Sequence, residues 1–151
     1  MTRVASPGHL ARRLIGSLSR REPDHADTAW AHAHLLASES LLWHRLSAAD
    51  RRHSIDVARR FESLGGPWSR DEIAGALLHD IGKLDAGLGT LARVAATMVG
   101  PRTPRLRRYH DHEQIGADLL VAAGSSAITV ELVRGNVAGR AASVLTEADD
   151  I

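Results

Sequence analysis

The run Ser69-Arg-Asp-Glu-Ile-Ala-Gly-Ala-Leu-Leu-His-Asp-Ile-Gly-Lys83 joins a helix-start signal to an ionisable pair in an apolar setting. Ser69-Arg-Asp-Glu72 fits a capping box, in which the Ser69 hydroxyl and the Glu72 carboxylate each satisfy the other's backbone N–H. Ile73, Leu77 and Ile81 follow at helical spacing, so the run predicts a helix with a buried stripe and with Gly82 close to its end. Asp80 falls on that stripe, where a helix normally buries Leu or Ile.

Similar pieces flank this run. Upstream, Ser47-Ala-Ala-Asp50 opens a helix that carries Val57, Phe61 and Leu64 at helical spacing and stops at Gly65-Gly66. His53 lies four residues before Val57. Residues 24–45 hold Trp30, Leu35, Leu36, Leu42 and Trp43 among polar residues, with Asp24 after Pro23 as an N-cap, and read as a scaffold helix or a pair of helices. Downstream, an apolar helix over about 88–98 is closed by Gly100-Pro101. A helix beginning near Asp111 puts His112, Ile115 and Leu119 on one face. The last helices cover about 126–134 and 137 onward, where Ala141, Leu145 and Asp149 recur every four residues. Strand signals are almost absent, so the fold class is all-α. One domain is expected from 151 residues, with 1–46 as an N-terminal helical extension packed on a unit at 47–151.

Composition narrows the chemistry. With 44% hydrophobic and 25% charged residues the chain reads as an ordinary globular protein. It has no cysteine, which excludes disulfides, thiolate metal sites and thiol nucleophiles and leaves His and carboxylates as the strong metal ligands. No signal-peptide pattern or membrane-length apolar run appears, so the expected location is cytoplasmic, with no membrane partner. The formal charge is +1, but between positions 85 and 111 there are five arginines, Arg93, Arg102, Arg105, Arg107 and Arg108, and no acid. That patch reads either as a solvated connection or as a face for an anionic ligand. Nucleic acid fits poorly, because aromatic content is 3% and no stacking pattern is present. Trp30, Trp43 and Trp68 suit either internal packing or a homodimer face.

An unpaired buried carboxylate costs several kcal/mol at the least, so Asp80 and Asp149 on apolar faces need a cation. A divalent ion held by His53, His79, Asp80 and Asp149 would neutralise both and leave positions for water. Each residue alone also has a plainer reading. His53 and His112 fit hydrogen-bonded core histidines, Asp80 fits an arginine ion pair, and Asp149 fits a frayed terminal turn. His32 and His34 are two apart on a helix and point in different directions, so with His9, His25 and His44 they are assigned to surface or scaffold.

The ordered set His53, His79-Asp80, Asp149 resembles the H…HD…D signature of the HD superfamily of metal-dependent phosphohydrolases. Arg52-His53-Ser-Ile-Asp-Val-Ala58 resembles that family's first-histidine helix. Ala76-Leu-Leu-His-Asp-Ile-Gly-Lys83 resembles its central motif almost letter for letter, and Leu145-Thr-Glu-Ala-Asp149 its closing helix. The resemblance covers about 47–151 and implies an HD-domain helical bundle. His53, His79, Asp80 and Asp149 would surround about one divalent ion per chain, drawn from Mn, Mg, Fe, Co, Ni or Zn, which activates water against phosphorus. Asp80 would also orient or bridge. Lys83, the only lysine, matches the HD-x-G-K form and would hold a phosphate oxygen; its plainer reading is a helix C-terminal cation. His112-Glu-Gln-Ile-Gly116 resembles the H-P-x-x-G motif of two-metal members with Glu113 in place of proline, and Val133-Arg-Gly-Asn-Val137 lacks the His-His pair those members carry. One metal is therefore favoured, with His112 and His110 as supporting groups, substrate contacts or proton donors, and Arg105 and Arg108 as substrate contacts.

The leading expectation is a phosphohydrolase acting on a small phosphomonoester or nucleotide. Its alternative is a degenerate HD domain that binds metal or nucleotide as a regulatory module without turnover. A non-catalytic helical scaffold leaves Asp80 and the run around it without a reason.

Overall fold

The computed structural model describes residues 19–84, 112–135 and 138–151. Among these the chain is all-α. Its helices are α1 (His25–His34), α2 (Ala37–His44), α3 (Ala48–Ser63), α4 (Arg70–Leu77), α5 (His112–Ala122), α6 (Ala127–Arg134) and α7 (Arg140–Asp150), with a 3-10 turn at Ile81–Leu84 after α4.

Short polar side chains start most of them. Asp24 accepts from the Asp27 N–H (2.7 Å), Ser47 from Asp50 (3.1 Å) and Ser126 from Thr129 (3.2 Å), each satisfying a backbone donor the helix leaves open. Ser69 and Glu72 form the reciprocal pair expected of them, at 3.2 and 2.7 Å. The 24–45 segment is two helices. Its second half starts when the Leu36 N–H donates to the Glu39 carboxylate (2.7 Å), although Leu36 has no capping oxygen of its own.

Helix α4 is the centre of the molecule. Every residue from 73 to 82 is buried, and α4 packs against α1, α3 and α6. One apolar cluster joins Ala31, Leu35 and Trp43 to Val57, Phe61, Leu77, Ile81 and Leu120. Trp43 is fully buried and its indole N–H donates to the Ser54 hydroxyl at 2.9 Å. Phe61 stacks on Trp68, with ring centroids 4.5 Å apart.

Sequence periodicity places Asp80 on a continuous helix, and here the structure differs. Helix α4 ends at Leu77, and the chain tightens into three-residue bonds, Ile81 N–H to the Leu78 carbonyl (2.9 Å) and Lys83 N–H to the Asp80 carbonyl (3.0 Å). His79 and Asp80 therefore sit in the turn between two helical segments. The close approach of α5 accompanies the change. A Cβ on Gly82 would collide with the His112 carbonyl, and a Cβ on Gly116 would lie 3.0 Å from the Gly82 nitrogen. Only two glycines let the first turn of α5 cross at this distance. The crossing also moves the buried face of α5 to Gly116, Ala117 and Leu120, so that His112, Ile115 and Leu119 are half-buried beside it. The expected helix over 88–98 and the arginine-rich stretch lie outside the described residues.

Candidate metal centre

Helix α3 presents His53 beside its buried stripe of Ile55, Val57, Ala58 and Phe61. Helix α7 packs against α3, and the Arg60 Nε–H donates to the Ala148 carbonyl at 2.8 Å. That bond satisfies a carbonyl at the C-terminal end of α7, as a basic side chain does well at such a position. The last turn is held against α3, and the Asp149 carboxylate comes within 3.0 Å of His53 Nε2 across 96 residues of sequence.

The turn after α4 supplies the other two groups. His79 Nδ1 lies 2.8 Å from the Ala76 carbonyl and donates to it, which fixes the ring. Its Nε2 then points between two carboxylates, 3.5 Å from Asp80 Oδ2 and 3.6 Å from Asp149 Oδ1. This atom is buried and has no hydrogen-bond partner among the described residues. His53 Nε2 lies 4.0 Å from Asp80 Oδ2, and ligand atoms of His53, His79 and Asp80 all fall within 4.8 Å of one another, close enough to hold a metal ion. Lys83 donates to Asp80 Oδ2, and His112 Nε2 stands 3.4 Å from Asp80 Oδ1.

Burial favours the neutral forms of His79, Asp80 and Asp149, and the neighbours override it. For His79 burial disfavours the imidazolium, yet the charges of Asp80 and Asp149 and the Ala76 carbonyl outweigh it and raise the group above the ordinary imidazole value. For Asp80 burial favours the neutral acid, but His79, Lys83 and His112 hold the carboxyl well below its usual range. Asp149 is lowered in the same way, chiefly by the hydrogen bond from His53 and by the adjacent His79 imidazole, against its own burial. The cluster holds its carboxylates ionised by gathering positive charge, which a divalent cation supplies in one atom.

The spacing suits such an ion. With bonds of about 2.1 Å, ligands at right angles lie about 3.0 Å apart, tetrahedral ones about 3.4 Å and opposite ones about 4.2 Å. The observed separations of 3.0 to 4.0 Å cover that range. The donor set is nitrogen and oxygen only, as the lack of cysteine requires.

The structure thus brings together His53, His79, Asp80 and Asp149, with Lys83 and His112 against Asp80. His110, Arg105 and Arg108 lie outside the described residues. Lys83 is paired with a carboxylate, so its positive charge serves the centre itself. Two contributors have no clear sequence signal: Arg60, whose bond to α7 positions Asp149, and the Gly82–Gly116 crossing, which brings His112 to Asp80. His34 places Nδ1 2.8 Å from the Trp30 carbonyl and does not share a site with His32. No helix among the described residues is long and apolar enough to cross a membrane.

No protein-family model, curated protein or solved structure matches this chain.

Proposed function

We propose that the chain is an HD-type metal-dependent phosphohydrolase, with residues 47–151 as the HD unit and a phosphomonoester or nucleotide as substrate. The observation that carries this reading is the His79 side chain. Its Nδ1 proton is committed to the Ala76 carbonyl, and its buried Nε2 has no hydrogen-bond partner among the described residues while facing two carboxylates. That is the posture of a metal-ligating imidazole, held in one tautomer by its other nitrogen.

In this reading His53, His79, Asp80 and Asp149 hold the ion. The bound ion supplies Lewis-acid charge for a phosphoryl oxygen and acidifies water. The chain's own residues do the rest. Asp80, fixed by Lys83 and His112, orients the attacking water. The Lys83 ammonium, already at the edge of the centre, faces the phosphoryl oxygens as negative charge develops on them. Water attacks phosphorus and gives up a proton to bulk solvent, the bond from phosphorus to the leaving oxygen breaks, and His112 delivers a proton to that oxygen. The motif resemblance around His53, His79-Asp80 and Asp149 supports the same reading and orders the substrate preference toward phosphate esters.

Elemental mass spectrometry of the purified protein, beside phosphate release from phosphomonoesters and nucleotides with added Mn, Mg, Co or Ni, tests it. About one metal per chain and hydrolysis that vanishes in Asp80→Ala are the expected results. Metal without turnover would favour a metal- or nucleotide-binding regulatory module. A chain that takes up no metal under any condition would overturn the centre.

A further inference from the structure

A second cluster of imidazoles lies away from this centre, where α1 meets α2. His32, in the last turn of α1, and His44, the last residue of α2, are twelve residues apart, and their Nε2 atoms approach to 2.9 Å. Both side chains are solvent-exposed. The rings are inclined by 33° with centroids 4.9 Å apart, so they converge on their Nε2 edges.

The surroundings orient the His32 ring and pack against both. His32 Nδ1 lies 3.2 Å from the Ser40 hydroxyl, which occupies one nitrogen and leaves Nε2 directed at His44. The buried Trp43 indole packs edge-on against both imidazoles, with centroids 5.9 Å from His32 and 5.2 Å from His44. Arg51 donates to the His44 carbonyl at 3.0 Å and also pairs with Glu22, whose carboxylate acts electrostatically on His44. Partial burial, with the nearby His32 and Arg51, holds His44 below the ordinary imidazole value and keeps it in the neutral form that ligates.

We infer that His32 and His44 form a second metal site, a two-imidazole clasp between α1 and α2 for a divalent ion of square or tetragonal preference, of the Cu(II) or Ni(II) type. Two imidazole nitrogens bound at about 2.0–2.1 Å and at right angles lie about 2.9 Å apart, whereas a tetrahedral ion needs about 3.4 Å. The hydrogen-bonded pair already has the right-angle separation, and the ion would take the place of the proton the two Nε2 atoms share, releasing it to solvent. The exposed side of the pair gives water access to the other coordination positions. First-row affinities also rise toward Cu(II) for a nitrogen site of this kind. The ion would tie the end of α2 to the last turn of α1, directly over Trp43. This site shares no residue with the His53–Asp149 centre and does not depend on the activity proposed there.

Trp43 provides the readout. Cu(II) titrated into the full chain is expected to quench tryptophan fluorescence with one equivalent at this site, and electron paramagnetic resonance should report two imidazole nitrogens on the ion. The phase should persist in Asp80→Ala. His32→Gln and His44→Gln should each weaken it by about tenfold or more, and Ser40→Ala by less, since it removes only the orienting hydroxyl. Both histidines are exposed, and unchanged helical circular dichroism in each variant separates lost ligation from lost folding. Quenching with unchanged Cu(II) affinity in either histidine variant would overturn the site, as would its disappearance in Asp80→Ala alone.

Discussion

Two places in this molecule converge histidine nitrogens, and they differ in what surrounds them. At the His53–Asp149 centre, groups drawn from α3, the turn after α4, α5 and α7 face one another inside the bundle, and burial makes each charge depend on the next. At the His32–His44 corner, two imidazoles meet on the surface within one helical hairpin, where water can replace either partner. Burial is therefore what turns a cluster of ligands into an electrostatic obligation. A buried group must be neutralised by a cation or a proton, and that obligation is visible as shifted titration of His79, Asp80 and Asp149.

The comparison breaks most visibly at Asp80. Replacing it with alanine removes the carboxylate that Lys83, His79 and His112 all face, and in the proposed phosphohydrolase this should reduce turnover by about 10³-fold, the equivalent of several kcal/mol of transition-state charge stabilisation. Phosphate-release kinetics would check this, and Cu(II) quenching at the surface corner should be unchanged in the same variant. Gly82→Ala comes next. Its Cβ would run into the His112 backbone, which cannot rotate away, so a loss of about 3 kcal/mol in stability is expected, read by denaturant unfolding. On the proposed mechanism His112→Gln should lower turnover by about 10- to 100-fold, through loss of the proposed proton donor and of the support for Asp80, with helical circular dichroism unchanged.

Protons sharpen the contrast further. His79 is raised, so without metal its contribution to stability is present at low pH and is lost as pH rises through that raised value. Asp80 and Asp149 are lowered, so theirs is present above the ordinary carboxylate range and is lost as pH falls below it toward their folded values. A metal held at this centre would compete with the proton for Nε2 of His79. Affinity of the buried centre should therefore fall by about tenfold for each pH unit below the raised His79 value, measured by competition with a metal indicator. Because His44 is lowered instead, protonation of this one proposed ligand should oppose Cu(II) binding at the surface corner only at a lower pH than protonation of His79 opposes metal at the buried centre.

How far sequence leads follows the same division. The buried centre was legible because Asp80 and Asp149 interrupt apolar patterns, and an ionisable residue in a Leu position asks for an explanation. The helices were legible through their caps: Asp24, Ser47, Ser69 and Ser126 begin helices as their side chains allow. What periodicity missed was the end of α4. It depends on a backbone crossing between Gly82 and Gly116, a contact between segments that no local pattern encodes. The role of Arg60 was hidden for the same reason, since its partner is a carbonyl 88 residues away. The His32–His44 pair escaped because spacing arguments apply within one helix, and these two residues meet only after the chain turns at Leu35 and Leu36.

The smallest effect is the most discriminating. In the presence of chelator, His44→Gln should change unfolding free energy by no more than about 0.5 kcal/mol, because an exposed side chain that loses one partner regains water. The equivalent change at His79 removes the group that faces both the buried Asp80 and the partly exposed Asp149 and leaves their charges to Lys83, His112 and His53, with a loss of about 2 kcal/mol. Parallel urea titrations of the two variants would measure the difference. Equal losses at the two positions would mean that burial does not set the demand for charge at the inner centre, and the argument for a cation there would lose its electrostatic basis.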